Sequence, residues 1–500
     1  MKFLQLFLVP ALLLAGVHPI YERAAAPAPT PLDRLLAEHW QKLGIQPANP
    51  CSDAVFLRRA YIDVTGNIPT AAEASAFLKN PDRTALIDRL LASDRYAAYY
   101  AMKWSDLLRV KAEFPVNLWP NAAQAYYHWI RASVAANKPY DQFARELLTS
   151  TGSNFRDPAV NFYRALQGRE PQTIAQAVAL AFLGSRTAPP GMAGFFSQIG
   201  YKETKEWKEE IIFFDPSKKL TPDPIFPGGA PAKLAPKQDP REVFATWLTS
   251  PQNSYFARAI VNRVWSWLLG RGIIHEPDDI RPDNSPENPE LLAYLEKQLI
   301  ASHYDLKALF REILTSNAYQ LSSIPAAPQA AAHFAVYPLR RLDAEVLADA
   351  INGITGTNES YTSAIPEPYT FMPDDQRAVE LPDGSITSAF LDLFGKPARD
   401  TGFESERNNR MTDAQRLHLL NSTNVQRKIQ QGPALTQMLR ETRDPRETVN
   451  QLYLTVLSRY ASDDEWKLIQ AHTVSNIRSG NGFFDLAWTL INSTEFLCRH

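Results

Sequence analysis

The apolar residues of this chain recur mostly at helical spacing. After Asp305, the residues Leu306, Leu309, Phe310, Ile313 and Leu314 fall at i, i+3, i+4, i+7 and i+8, one stripe of a helix whose first turn Asp305 is placed to cap. Just upstream, Asn288-Pro289-Glu290-Leu291 supplies an N-cap, a proline at the first helical position and an acid in the first turn. Asp239-Pro240-Arg241-Glu242 and Asp444-Pro445-Arg446-Glu447 open in the same way, with Asp and Glu at capping-box spacing. Apolar positions follow each, Val243 and Phe244 in one case, Val449, Leu452, Tyr453, Val456 and Leu457 in the other. The flanks do not align, so these are local start signals and not a repeat. Alternating strand patterns are scarce; Glu210-Ile211-Ile212-Phe213-Phe214 reads as an isolated edge strand. The pattern predicts a mainly α fold with at most minor β structure.

Helix breakers divide the chain. Pro216, Pro222, Pro224, Pro227, Gly228, Gly229, Pro231 and Pro236 crowd residues 202–239, which read as a Pro-rich linker or surface loop. Two helical domains are expected on either side, residues 27–201 and 240–500. The second carries long irregular stretches at 322–338 and 357–388, of a length that is functional or disordered in most proteins.

Residues 1–26 read as a signal peptide. Lys2 precedes an apolar run over 3–17, and Ala24-Ala25-Ala26 offers a small-residue cleavage site. The run is too short to span a ~30 Å hydrocarbon core, and Pro10 interrupts it. Leu13-Leu14-Ala15-Gly16 resembles a lipoprotein signal, but Val17 stands where the lipidated cysteine belongs. The later apolar stretches are about half the spanning length. An exported protein is expected, periplasmic or extracellular, with no membrane span after signal cleavage.

Composition narrows the partners. With 500 residues, 45% hydrophobic, the chain can bury sizeable cores, and its formal net charge of −2 provides no field for phosphates, so nucleic acid is excluded as an expected partner. The two cysteines, Cys51 and Cys498, either pair and tie the ends of the mature chain together or stand as separate thiols.

Local catalytic motifs are missing. There is no phosphate-binding glycine loop, no Gly-x-Ser-x-Gly and no His-Glu-x-x-His, and the scattered histidines offer no local metal site, so neither metal nor cofactor is expected. Two acidic loops remain. The first, His275 to Glu287, contains Asp278, Asp279 and Arg281; its oxygens are dense enough for Ca²⁺, but the register is not that of an EF-hand, and helix caps and pairing with Arg281 explain it more simply. The second, Arg399 to Arg407, contains Glu404, Glu406 and Arg407, either an acid/base set or solvated acids holding the arginine. Trp265 and Trp267 lie on different faces of one helix, so at least one belongs to the core; sugar stacking is the other role open to them.

Several strings resemble a known family. Asp63-Val64-Thr65-Gly66-Asn67-Ile68-Pro69-Thr70, Leu90-Leu91-Ala92-Ser93-Asp94-Arg95-Tyr96 and Lys138-Pro139-Tyr140-Asp141 are similar to the first domain of the planctomycete-type cytochrome c domain family. Asn262-Arg263-Val264-Trp265, Asp278-Asp279-Ile280-Arg281, Tyr304-Asp305-Leu306-Lys307 and Asn492-Ser493-Thr494-Glu495-Phe496 resemble its usual partner domain. The resemblance implies an exported two-domain protein of unassigned biochemistry, often fused to haem modules. This chain departs from the pattern twice. Between Phe182 and Phe195 it lacks the Cys-x-x-Cys-His segment that members carry, and Phe403-Glu404-Ser405-Glu406-Arg407 stands where members show Cys-x-Cys-Glu-Arg. The expectation is a haem-free binding or scaffolding component with an envelope protein or polysaccharide partner; the alternative is a polysaccharide hydrolase working through the loop carboxylates.

Overall fold

The computed structural model describes residues 17–25, 28–113, 118–365, 370–472 and 480–500. The apolar run and the cleavage position expected at Ala26 lie outside them, apart from Val17. The fold is mainly α. Helices α1 (Pro31–Leu43), α2 (Asp53–Thr65), α3 (Ala71–Lys79), α4 (Arg83–Leu91), α5 (Asp94–Leu107), α6 (Pro120–Ala135), α7 (Tyr140–Thr149), α8 (Asn161–Arg164) and α9 (Pro171–Val178) build the first half. The second half contains α10 (Pro240–Leu248), α11 (Ser254–Leu269), α12 (Pro289–Ala301), α13 (Leu306–Thr315), α14 (Ala344–Thr355) and α15 (Ala389–Leu393). It continues through α16 (Asp413–Asn421), α17 (Thr423–Gln431), α18 (Pro433–Glu441), α19 (Pro445–Leu457), α20 (Asp463–His472), α21 (Asn481–Ile491) and α22 (Thr494–Leu497).

The predicted starts hold. Asn288 accepts the N–H of Leu291 and Asp305 that of Ala308, each at 2.9 Å, and Asp444 accepts from Glu447. Asp239 accepts the N–H of Arg241 and also grips the Arg241 guanidinium at 2.8 Å, so the acid fixes both the helix start and a buried arginine.

Buried residues from both halves, Leu32 to Leu497, form one continuous core. Within 202–239, residues 210–214 are not an isolated edge strand. They form the middle of a three-stranded antiparallel sheet, between β1 (Gly152–Ser153) and β2 (Ile199–Glu203), with β3 (Glu210–Phe214) contacting both. Ile212 enters the core, and Glu210 is buried because Arg164 and Arg169 each pair with it at 2.8 Å. The described parts of the irregular stretches are also tied down. β5 (Thr362–Ser363) pairs with β6 (Ile386–Thr387), and Ser322 donates its N–H to Asn49.

Residues 18–23 belong to the folded body. Ser52 donates its N–H to Tyr21 and its hydroxyl to Ile20, Arg23 donates its N–H to Pro50, and the Tyr21 hydroxyl reaches Glu495. Cys51 and Cys498 are both free in this structure. Their backbones are held in different ladders, Cys51 opposite Glu22 and Cys498 opposite Arg341.

Candidate functional site

A broad cleft of about 830 Å³ opens where the two halves meet, a size typical of ligand sites. Its floor is a buried ionic network. α5 presents Tyr99, Lys103 and Asp106, while β4 (Arg340–Arg341) runs antiparallel to β7 (Cys498–Arg499), setting Arg340 opposite Arg499. Asp343, at the N-cap of α14, lies between these elements. Its Oδ2 receives the Tyr99 hydroxyl at 2.9 Å, Arg499 at 2.7 Å and Lys103 at 3.0 Å, and its Oδ1 receives Asn409 at 2.6 Å. Burial opposes ionisation of Asp343, but Arg499, Lys103 and Arg407 overcome it and hold the carboxyl well below the usual range. Arg499 also reaches Asp63 at 3.2 Å, whose other oxygen accepts the Tyr319 and Tyr337 hydroxyls.

Gly66 lets Tyr99 reach Asp343. It ends α2 at φ 60°, and a Cβ there would lie 2.3 Å from the Tyr99 ring. Gly402, at φ 73°, does the same for the loop over α5, since a Cβ would meet the Leu107 carbonyl at 2.6 Å.

The two acidic loops converge in part. Asp278 is buried; its Oδ1 pairs with Arg263 at 2.7 Å and its Oδ2 accepts the backbone N–H of Glu404 at 2.6 Å. Glu404 Oε2 accepts the Trp267 indole N–H at 3.1 Å and lies 3.8 Å from Arg263, while the side chain, about one-third exposed, lines the cleft. Arg407 also lines it, clamped on Glu345 at 2.6 and 3.0 Å and on Asp106 at 2.6 Å. Burial disfavours the Arg407 charge, yet Glu345, Asp106 and Asp343 raise its pKa well above the ordinary value.

The remaining candidates do other work. Glu406 accepts the N–H groups of Asp400, Thr401 and Gly402 and so shapes its own loop. Asp279 pairs at 3.0 Å with Arg281, which also reaches Asp283. Trp265 is fully buried and Trp267 nearly so, so neither is a platform for sugars; Trp207, 68% exposed, is the tryptophan that faces solvent. Sequence reasoning missed Lys103, Asp106, Asp343, Glu345 and Arg499, which share no local motif and meet only through tertiary packing. It also missed His39, Glu287 and His333, which converge from three distant segments.

Family models match the two halves. The model PSCyt2, a protein of unknown function (DUF1549), covers residues 31–188, and PSD1, a protein of unknown function (DUF1553), covers residues 240–473. The chain belongs to the PSCyt2 and PSD1 families. They are the planctomycete cytochrome c-associated domains that its sequence resembles. No curated protein and no solved structure matches the chain. In this PSCyt2–PSD1 chain the cleft floor joins the two matched segments, with Tyr99, Lys103 and Asp106 from the first and Asp343, Glu345 and Arg407 from the second. Residues 182–195 and 403–407 are neighbours, since the Arg186 guanidinium sits 5.6 Å over the Phe403 ring.

Proposed function

We propose that this PSCyt2–PSD1 chain is an exported binding protein, without covalently held haem, that takes a segment of an acidic polysaccharide in the cleft between its two matched segments. The observation that carries this reading is the charge of the lining. The lining carries Lys103, Arg340, Arg341, Arg407, Arg410 and Arg499 against Glu276, Asp343 and Glu404, with Asp63, Asp106 and Glu345 answering Arg499 and Arg407 from beneath the floor, on a chain whose net charge is −2. Arg410 is exposed, while Arg340, Arg407 and Arg499 are answered by carboxylates at the floor, so Arg410 is the cation most open to a ligand. Arginine forks suit carboxylate and sulfate groups, which they bind in pairs.

The hydrolase reading needs two carboxyls facing each other across open space, about 5–9.5 Å apart. Glu404 supplies one. Asp278, which meets it, has both oxygens engaged by Arg263 and by the Glu404 backbone, which favours binding over hydrolysis.

The test is titration of the purified chain with dextran sulfate and with neutral dextran. Dextran sulfate is expected to bind, with affinity that falls steeply as salt rises and drops several-fold in Arg410→Ala. Equal binding of neutral dextran, or no binding of either polymer, rejects the reading. Release of reducing ends by the wild type, lost in Glu404→Gln, would restore the hydrolase.

A further inference from the structure

Outside the cleft lining, three side chains that no motif links meet where α1 packs on the second half. His39 lies on α1, Glu287 immediately precedes the Asn288 cap of α12, and His333 ends the 3-10 turn Ala330–His333. His39 Nε2 stands 3.2 Å and His333 Nδ1 2.5 Å from the same Glu287 oxygen, and the three candidate ligand atoms lie within 4.8 Å of one another. The backbone fixes each of them. Trp40, beside His39, donates its indole N–H to the His333 carbonyl at 2.7 Å, and Glu287 donates its N–H to Ile273 at 2.8 Å. Phe334, next to His333, packs edge-on against the buried Trp265 at 5.3 Å. The side chains are 16–24% exposed, so the trio is held by structure yet open to an ion from solvent.

We propose that His39, Glu287 and His333 form a divalent transition-metal site, best matched by Zn²⁺, that fastens the PSCyt2 segment to the PSD1 segment. Two imidazoles and one carboxylate are the donor set zinc takes, at about 2.0–2.2 Å from the metal, which puts neighbouring ligands of a tetrahedral ion about 3.4 Å apart. The His39–Glu287 separation, 3.2 Å, is already close to that value. The His333–Glu287 contact needs to open by about an ångström, within the reach of a side-chain rotation on a partly exposed glutamate. Three protein ligands leave a fourth position for water or for a ligand atom, the arrangement of open zinc sites. Because His39 comes from residues 31–188 and its partners from residues 240–473, an ion here bridges the matched segments, and none of the three ligands lines the arginine cleft.

The experiment uses the full chain, stripped with a chelator and titrated with Zn²⁺ by calorimetry, with metal content read by mass spectrometry. One equivalent is expected to bind, with Tm rising by several degrees, and His39→Gln and His333→Gln are each expected to weaken binding at least tenfold and abolish the Tm rise. Zinc should also protect His39 and His333 of the wild-type chain from diethyl pyrocarbonate, a readout that needs no variant. No stoichiometric binding, binding undiminished in both variants, or no protection of these two histidines overturns the site.

Discussion

The Oδ2 atom of Asp278 accepts the backbone N–H of Glu404 at 2.6 Å, joining two loops that lie 126 positions apart. Asp278 thus secures the cleft-facing loop while its other oxygen neutralises the buried Arg263. Asp278→Ala leaves that arginine without its partner and is expected to cost about 3–5 kcal/mol of stability in urea unfolding. Asp279→Ala, at a partly exposed pair, is expected to change stability by about 0.5 kcal/mol or less.

Asp343 makes the acid limb of stability. Its carboxyl titrates well below the usual range once folded, because the cations around it outweigh burial. Its contribution is therefore present above the unfolded carboxylate value, near pH 4, and is lost as pH falls through the depressed folded value. Arg499→Met is expected to lower stability at neutral pH by about 3 kcal/mol or more and to flatten the stability profile below about pH 4. An unchanged acid profile in equilibrium unfolding would show that Asp343 is not the group titrating.

Lys396 predicts the opposite limb. Burial, with Arg399 nearby, pushes its ammonium down to about 8 from 10.5. The unfolded chain binds more protons between these values, so the penalty is complete below pH 8 and relieved as pH rises towards 10. It amounts to roughly 3 kcal/mol at neutral pH, less the value of its bond to the Gly384 carbonyl. Lys396→Met is expected to raise the urea midpoint at pH 7, with the gain shrinking by pH 10; a gain constant with pH would assign it to packing alone.

The proposed export signal gives a separate test. The bonds from the Ser52 N–H to the Tyr21 carbonyl and from the Arg23 N–H to the Pro50 carbonyl would be lost by cleavage after Ala26. Intact-mass measurement of exported protein is expected to place its N-terminus at or ahead of His18. A chain beginning at Pro27 with undiminished Tm would overturn this expectation.

Helices were legible because capping and apolar spacing are local properties, as at Asn288 and Asp305. Strand 210–214 was legible as a strand, but its central position was not, since that depends on Gly152 and Tyr201 pairing from elsewhere in the chain. Glu404 and Arg407 stood out as loop charges. The partners that define them, Trp267, Glu345 and Asp106, are 137, 62 and 301 positions away, a separation no window along the chain connects. The same distance hid the histidine pair.

Tyr99 gives its hydroxyl proton to Asp343, 244 positions ahead, and accepts one from Arg499, 400 positions ahead. Contacts of such high order close late, because the intervening chain must first surrender its freedom. The cleft floor is therefore a product of completed folding. A ligand held there would report on the whole molecule, and a half-folded intermediate would carry its buried charges without the site they form.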